Sequence, residues 1–191
     1  WVPIQINDAI ENDELMVYHQ LYMVSDMLQN GSGELLCIRS NYGTGIIPAL
    51  FDAEVFIMPR ETNTLPCIRS FPDGKEAIKR IVSDNKINYN KGLAKRVFST
   101  AEKYLEVVEQ FPKVKKYVHY YNPDLQGPLA LCEALWGSDF YIDFYDDSEA
   151  IESALDFFCS VYIDFTLKWH KLCPTYDEAH SVEWGCLHKG G

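Results

Sequence analysis

Three long segments with apolar side chains at helical spacing are the feature of this sequence that most constrains its fold. They span residues 13–29, 91–111 and 149–172. Apolar side chains three and four residues apart form one stripe on a helix, and such a stripe is buried against another element. Pro112 and Pro174 follow the second and third segments, where proline ends a helix. The sequence therefore predicts three amphipathic helices around a shared core.

Short runs that favour β-structure lie between the helical segments. They are aliphatic, or aromatic and β-branched, and they are short enough for buried strands. The runs predicted to extend are 35–39, 54–58, 117–121, 140–145 and 179–188. Strands that alternate with helices are typical of an α/β fold with parallel strands. No Ser/Gly-rich linker divides the sequence, so we predict one domain over residues 1–191.

Composition and charge exclude several kinds of partner. The net charge of −11 argues against nucleic acid and anionic membrane surfaces, which attract clustered Lys and Arg. A hydrophobic fraction of 47% without a long apolar run or a signal-peptide pattern predicts a soluble protein with a buried core. The six cysteines include no Cys-x-x-Cys pair and are expected to be reduced. We expect a cytoplasmic protein with a small-molecule partner and no membrane partner, and a homodimer is left open.

The first polar segment that follows a predicted strand is Arg39-Ser-Asn-Tyr-Gly-Thr-Gly45. In α/β folds, ligands bind at the loops that leave the carboxyl ends of the strands. A guanidinium at such a strand exit can clamp a carboxylate or a phosphate. The alternative is an ordinary turn in which the arginine is paired with an acidic neighbour. The candidate substrate-binding residues are Arg39, Asn41, Tyr42, Gly43 and Thr44.

The second strand exit is Asn122-Pro-Asp-Leu-Gln-Gly-Pro128, where Gly127-Pro128 opens a helix that runs to Trp136. Asp124 can accept or orient a proton, and the amide of Gln126 can both donate and accept hydrogen bonds. Both are therefore candidate catalytic residues. The alternative is that Asp124 closes an Asx turn and Gln126 faces solvent.

The third candidate region is the end of the sequence, from Glu183 to Gly191. Alternation along a strand would place Cys186 and His188 on one face, where a histidine can act as an acid or a base. His188 is therefore the third catalytic candidate. Two ligands are fewer than the three or four protein ligands of a zinc site, so we predict no metal here.

Four stretches of the sequence together resemble a known family. They are Asn41-Tyr-Gly-Thr-Gly-Ile-Ile-Pro48, Pro123-Asp-Leu-Gln-Gly-Pro128 with Leu135-Trp-Gly137, Asp146-Asp-Ser-Glu149, and Trp184-Gly-Cys-Leu-His-Lys-Gly-Gly191. The family is the uroporphyrinogen decarboxylase superfamily, and the likeness is greatest to a bacterial branch related to both the decarboxylase and the cobamide-dependent methyltransferases. The resemblance implies a (β/α)₈ barrel of the TIM type with an active site at its C-terminal mouth.

Such a barrel needs about 250 residues or more, so 191 residues would form only part of it. Together with the abrupt start at Trp1, this predicts that sequence is missing at both ends. Two signatures of the relatives are also not found. The decarboxylase's Arg-Gln-Ala-Gly-Arg motif is absent, and Cys186-Leu-His188 reverses the methyltransferase's His-x-Cys zinc motif. No catalytic role is therefore carried over from the family to Arg39, Asp124, Gln126 or His188.

Three functions are open at this point. The leading one is cofactor-free decarboxylation of a tetrapyrrole carboxylate, in which an arginine would hold a side-chain carboxylate and a carboxylate such as Asp124 would stabilise the protonated pyrrole. The second is a corrinoid-dependent methyltransferase, which would use zinc and cobamide. The third is a non-catalytic ligand-binding barrel, because a fold does not fix a function.

Overall fold

Helices make up most of the structure. The computed structural model describes residues 2–31 and 33–173, and the backbone of residues 180–183 and 186–189. The helices are α1 (Ile6–Glu11), α2 (Asp13–Asn30), α3 (Gly74–Asp84), α4 (Gly92–Glu109), α5 (Pro112–Tyr117), α6 (Pro128–Trp136), α7 (Phe140–Asp146) and α8 (Ser148–Leu172). The strands are β1 (Cys37–Ile38), β2 (Val55–Phe56), β3 (Cys67–Ile68), β4 (His119–Tyr120), β5 (His180–Glu183) and β6 (Cys186–Lys189).

The described strands form three separate pairs. Strands β1 and β4 are parallel, with Cys37 opposite His119 and Ile38 opposite Tyr120. The pairs β2–β3 and β5–β6 are antiparallel. A parallel pair needs a long crossover, and the chain between β1 and β4 supplies it with α3, α4 and α5. The parallel pair is therefore the part of the fold that places two distant loops side by side.

The apolar stripe of α8 forms one wall of the main hydrophobic core. Phe165 stacks on Phe98 of α4 with ring centroids 5.1 Å apart, and Phe158 meets Phe51 edge-on at 5.7 Å. Burying a side chain of this size stabilises a fold by roughly 1.5–3 kcal/mol. The predicted stripe therefore decides how α8 packs.

Helices α4 and α8 hold strand β4 between them. The ring of Tyr120 stacks on Tyr104 of α4 at 4.7 Å and on Trp169 of α8 at 5.4 Å, measured between centroids. The hydroxyl of Tyr120 lies 2.6 Å from Oγ of Ser40, the second residue after β1. These contacts fix the carboxyl ends of both parallel strands.

The starts of two helices, α2 and α8, are capped by short polar side chains. Oδ1 of Asn12 accepts hydrogen bonds from the backbone N–H groups of Glu14 and Leu15, so Asn12 caps α2. Asp147 caps α8 by accepting from the N–H of Ala150 at 3.3 Å. This cap lies in Asp146-Asp-Ser-Glu149, one of the four stretches that carry the family resemblance.

The described residues are mostly helical with few strands, and a parallel strand pair that contacts helices is compatible with the predicted α/β class. The helices predicted at 13–29, 91–111 and 149–172 begin and end within two residues of the predicted limits. Residues 2–31, 33–173, 180–183 and 186–189 contain no closed barrel. Among these residues, no helix combines the length and the apolarity that crossing a membrane requires.

Three local predictions were wrong. Residues 140–145, predicted to extend, form α7, because Phe140 is buried and Asp143 accepts a hydrogen bond from the indole of Trp136. The run 117–121 pairs only at His119–Tyr120, because α5 continues to Tyr117. The single strand predicted at 179–188 is instead the antiparallel pair β5–β6.

Candidate functional site

The two polar strand exits meet at one edge of the parallel pair. The N–H of Tyr121 donates to the carbonyl of Ile38 at 3.0 Å, so residues 39–45 and 121–127 leave the strands together. Parallel strands end at the same edge, which is why the sequence places both loops at one site. We call the loops 39–45 and 121–127 the strand-exit site.

Arg39 is held in place by several neighbours. Its backbone N–H donates to Oε1 of Gln20, and its Nε donates to Oδ1 of Asn41, each at 3.1 Å. The guanidinium carbon lies 5.7 Å from the centre of the Tyr121 ring, within the range of a cation–π contact. The Arg39 side chain is only 12% exposed. The guanidinium is therefore oriented at the edge of the strands.

Asp124 faces this guanidinium from the other loop. Its Oδ2 lies 3.7 Å from Nη1 of Arg39, and the Asp124 side chain is 15% exposed. This distance is too long for a hydrogen bond, so the two groups attract each other by charge alone. The structure therefore shows the acidic partner of the alternative interpretation, and that partner is the catalytic candidate of the second exit. The clamp for a ligand stays a prediction.

The turn that carries Asp124 does not use its carboxylate. The N–H of Leu125 donates to the carbonyl of Pro123 at 2.8 Å, which closes a three-residue turn centred on Asp124. Among the described residues, no group donates a hydrogen bond to the Asp124 carboxylate, so the predicted Asx turn is not formed there. The carboxylate is attached to a fixed turn but is not fixed by it.

The second exit also carries two amides. Gln126 is half-buried, and its side chain makes no hydrogen bond within the described part of the chain. Oδ1 of Asn122 lies 3.2 Å from Nε2 of His170, in the last turn of α8. Sequence reasoning missed His170. Its position directly after Trp169, whose ring stacks on β4, is the signal that could have placed it near this exit.

Tyr42 lies in the core instead of facing the strand-exit site. It is fully buried, and its hydroxyl lies 2.6 Å from Oγ1 of Thr100 and donates to Oδ1 of Asp13 at 3.0 Å. Burial is the main cause that raises the pKa of Tyr42 well above its usual value. The phenol is therefore neutral, and its hydrogen bonds attach the first exit to α2 and α4.

The glycines of the first exit allow close packing against β3 and the residues just before it. Gly43 has a φ of 73°, and a Cβ there would lie 3.1 Å from the carbonyl oxygen of Pro66. A Cβ on Gly45 would lie 2.8 Å from a methyl of Ile68. Both glycines are thus explained by packing within the protein, while Thr44 between them is half-buried.

The third predicted region is described only in part. His188 and Cys186 belong to β6, whose backbone pairs with β5, and their side chains lie outside the described residues. Within the described part of the chain, no group of three or more His, Cys, Asp or Glu side chains could hold a metal ion. His188 is therefore not brought together with Arg39 or Asp124 by any described contact.

A cavity of about 940 Å³ lies at the opposite end of the strands. Its lining includes Leu36 and Val118, which precede β1 and β4, and aliphatic side chains of α2. Burial lowers the pKa of His119, which also lines it. This apolar cavity and the polar strand-exit site are separate features of the fold.

The chain matches no protein-family model, no curated protein and no solved structure. The chemistry of the strand-exit site is that of its own groups: an oriented guanidinium, a carboxylate that accepts no hydrogen bond from the described residues, and the amides of Asn41, Asn122 and Gln126. Burial also raises the pKa of Tyr121, against the opposing effect of the Arg39 charge, so this phenol is neutral. Such a site can bind an anionic group and can stabilise a positive charge that develops beside it.

Proposed function

We propose that this protein is a uroporphyrinogen decarboxylase-like enzyme that removes a carboxylate from a tetrapyrrole at the strand-exit site. The observation that carries the proposal is the meeting of Arg39 and Asp124 at the shared edge of β1 and β4. The four stretches that resemble the superfamily support it, since two of them form these exits. A guanidinium and a carboxylate are the groups that an acidic pyrrole substrate needs.

The finer fold proposal is a (β/α)₈ barrel of which residues 1–191 form part. Neighbouring strands of such a barrel are parallel and covered by helices, and ligands bind at the carboxyl ends of the strands. Helices α4 and α8 cover β4 in this way. The remaining strands would come from sequence outside this chain.

Decarboxylation at this site would divide the charges of the substrate between two residues. Arg39 binds one side-chain carboxylate. A pyrrole ring carbon takes a proton from solvent, and Asp124 stabilises the resulting cation. The bond between the side-chain carbon and the reacting carboxylate then breaks, its electron pair neutralises the ring, and carbon dioxide leaves. A proton added to the side-chain carbon and the loss of the first proton from the ring give the methyl product.

The other candidates have supporting roles in this proposal. Gln126 belongs to the same exit, and its amide could accept a hydrogen bond from a pyrrole N–H. His188 would be the acid that returns a proton to the side-chain carbon. This reaction uses no cofactor, whereas zinc and cobamide belong to the methyltransferase alternative. The proposed partner is a small molecule in the cytoplasm.

The test is an assay of the purified protein with uroporphyrinogen, in which the products are oxidised to porphyrins and separated by their number of carboxylates. We expect carboxylate loss that falls by about 100-fold or more in Asp124→Asn, because a preorganised charge of this kind is typically worth that much in rate. Asp8→Asn removes a carboxylate from the exposed ion pair with Arg60 and serves as the matched control.

No carboxylate loss at high enzyme concentration would contradict the proposal. Bound zinc together with cobalamin-dependent methyl transfer would replace it with the methyltransferase. A porphyrin that binds without turnover, equally well in Asp124→Ala and Arg39→Ala, would leave a non-catalytic barrel.

A further inference from the structure

Arg39 keeps its orientation without help from Asp124. The hydrogen bond from Nε to Asn41 fixes one side of the guanidinium, and the ring of Tyr121 lies beside its carbon. The hydrogen bond from the Arg39 backbone to Gln20 fixes the start of the side chain. A group that competes with Asp124 for this guanidinium therefore meets an arginine that is already in place.

Asp124 is held far less firmly than its burial suggests. A carboxylate with a side chain only 15% exposed normally accepts several hydrogen bonds, because burial otherwise costs it the water it loses. Among the described residues, the one ion pair of Asp124 is the 3.7 Å contact with Arg39, and no hydrogen bond accompanies it. The turn around Asp124 is closed by backbone atoms of Pro123 and Leu125, so the side chain can rotate while the turn stays intact.

We propose that Asp124 is an internal counter-ion, which occupies Arg39 in the free protein and gives it up to a carboxylate of the ligand. The identity of that ligand, a tetrapyrrole carboxylate, rests on the proposed function. Once displaced, Asp124 is free to face the positive charge of the pyrrole ring. One exchange of partners therefore loads the substrate and releases the stabilising carboxylate.

The exchange predicts two properties of binding. Asp124 competes with every anionic ligand, so the protein binds carboxylates more weakly than Arg39 alone would allow. An uncharged ligand of the same shape gains nothing from Arg39, because it cannot replace the charge of Asp124. Asp124 thus selects for ligands that carry a carboxylate.

The experiment measures binding of two probes by titration calorimetry and tryptophan fluorescence. Uroporphyrin is the stable oxidised form of the proposed substrate, and citrate is a carboxylate without a pyrrole. We expect Asp124→Asn to bind the probes about five- to tenfold more tightly than the wild type, which is the gain from removing one partly exposed ion pair. In Arg39→Gln we expect weak binding that a second change, Asp124→Asn, does not improve.

Asp8→Asn is the matched control, since it also removes one negative charge opposite an arginine and is expected to leave binding unchanged. Circular dichroism checks the fold, and Asp124→Ser replaces Asp124→Asn where the latter does not fold. Equal or weaker binding of both probes by the Asp124 variant overturns the inference, and so does a protein that binds neither probe up to millimolar concentration. Tighter citrate without uroporphyrin binding supports the counter-ion and contradicts the decarboxylase.

Discussion

Two carboxylates in this protein, those of Asp143 and Asp124, face basic side chains but differ greatly in the hydrogen bonds that they accept. Asp143 of α7 accepts a hydrogen bond from Nζ of Lys75 at 2.6 Å and another from the indole N–H of Trp136 at 2.9 Å. Its side chain is 9% exposed. Asp124 at the strand-exit site is 15% exposed, and its Arg39 partner is 3.7 Å away. The two residues differ little in burial and greatly in bonding.

The difference distinguishes a carboxylate that stabilises the fold, Asp143, from one that can interact with a ligand, Asp124. Asp143 uses both oxygens to tie α7 to α3 and α6, and a ligand could reach it only by breaking hydrogen bonds inside the protein. Asp124 contributes one charge attraction and no hydrogen bond to the described fold. Since bonding within the protein competes with bonding to a ligand, the less satisfied carboxylate is the better functional candidate.

The largest expected effect is on stability, from Asp143→Ala. The change leaves the buried indole N–H of Trp136 without an acceptor and removes the hydrogen bond from Lys75, so we expect unfolding to become easier by about 3 kcal/mol. The matched change Asp124→Ala is expected to alter the free energy of unfolding by less than about 1 kcal/mol. Urea denaturation followed by circular dichroism measures both. Equal losses in the two variants would remove the contrast between them.

Much of the helical framework could be predicted from the sequence. The stripe of α8, which includes Phe158, Phe165 and Trp169, is periodic and long, and it ends before a proline. A pattern of that length is decided by the burial of one face, which local sequence reports directly. The helices α2 and α4 were predictable for the same reason.

Helix α7 was not predictable in this way. Its sequence, Phe140-Tyr-Ile-Asp-Phe-Tyr-Asp146, is rich in residues that favour strands. A contact with a distant residue opposes that preference, because Lys75 bonds Asp143 across 68 positions of sequence. The neighbouring Trp136 also packs against Phe140. A short aromatic segment adopts the structure that its partners allow, and those partners are not visible locally.

The strand-exit site was predictable in outline but not in its contacts. Arg39 and Asp124 follow two runs expected to be parallel strands, so their shared edge followed from topology. The hydrogen bond between Asn122 and His170 joins residues 48 positions apart and depends on how α8 packs. The burial of Tyr42 likewise depends on Thr100, which lies 58 positions away. Pairings of this kind arise from packing, which sequence spacing does not encode.

Gly43→Ala is the next prediction, and it tests whether the loop that carries Arg39 is as rigid as the core around Asp143. The variant places a Cβ at a φ of 73° and 3.1 Å from the carbonyl oxygen of Pro66. We expect a loss of about 2 kcal/mol in unfolding free energy, from the left-handed backbone and the close contact together. Chemical denaturation measures it.

Gly127→Ala is the control for that change, because a Cβ at Gly127 would meet no atom within 4 Å. Because Gly127 is the N-cap of α6, where Ala is less favourable than Gly, we expect its free energy of unfolding to fall by no more than about 1 kcal/mol. A tolerant Gly43 would mean that the first exit is deformable, and the fixed orientation of Arg39 would then need another explanation.

The smallest expected effect is on the pH dependence of stability. It concerns Asp147, a carboxylate that, like Asp143, is hydrogen-bonded to a lysine within the protein. The hydrogen bond from Lys79 is the main cause that lowers the pKa of Asp147 below its ordinary value of 3.8, while burial opposes the shift. A carboxyl whose pKa is lower in the folded state stabilises the fold above the unfolded pKa, and this contribution disappears as the pH falls through the folded pKa.

Asp147→Asn keeps a side chain that can cap α8 but removes the charge. We therefore expect the wild type to have the higher Tm at about pH 7, and the gap to narrow as the pH falls below 3.8 and to close once it is below the folded pKa. Asp146→Asn, a change at the exposed neighbouring residue, should show no such gap in thermal denaturation. A gap that persists at low pH would mean that Asp147 acts through its cap and not through its charge.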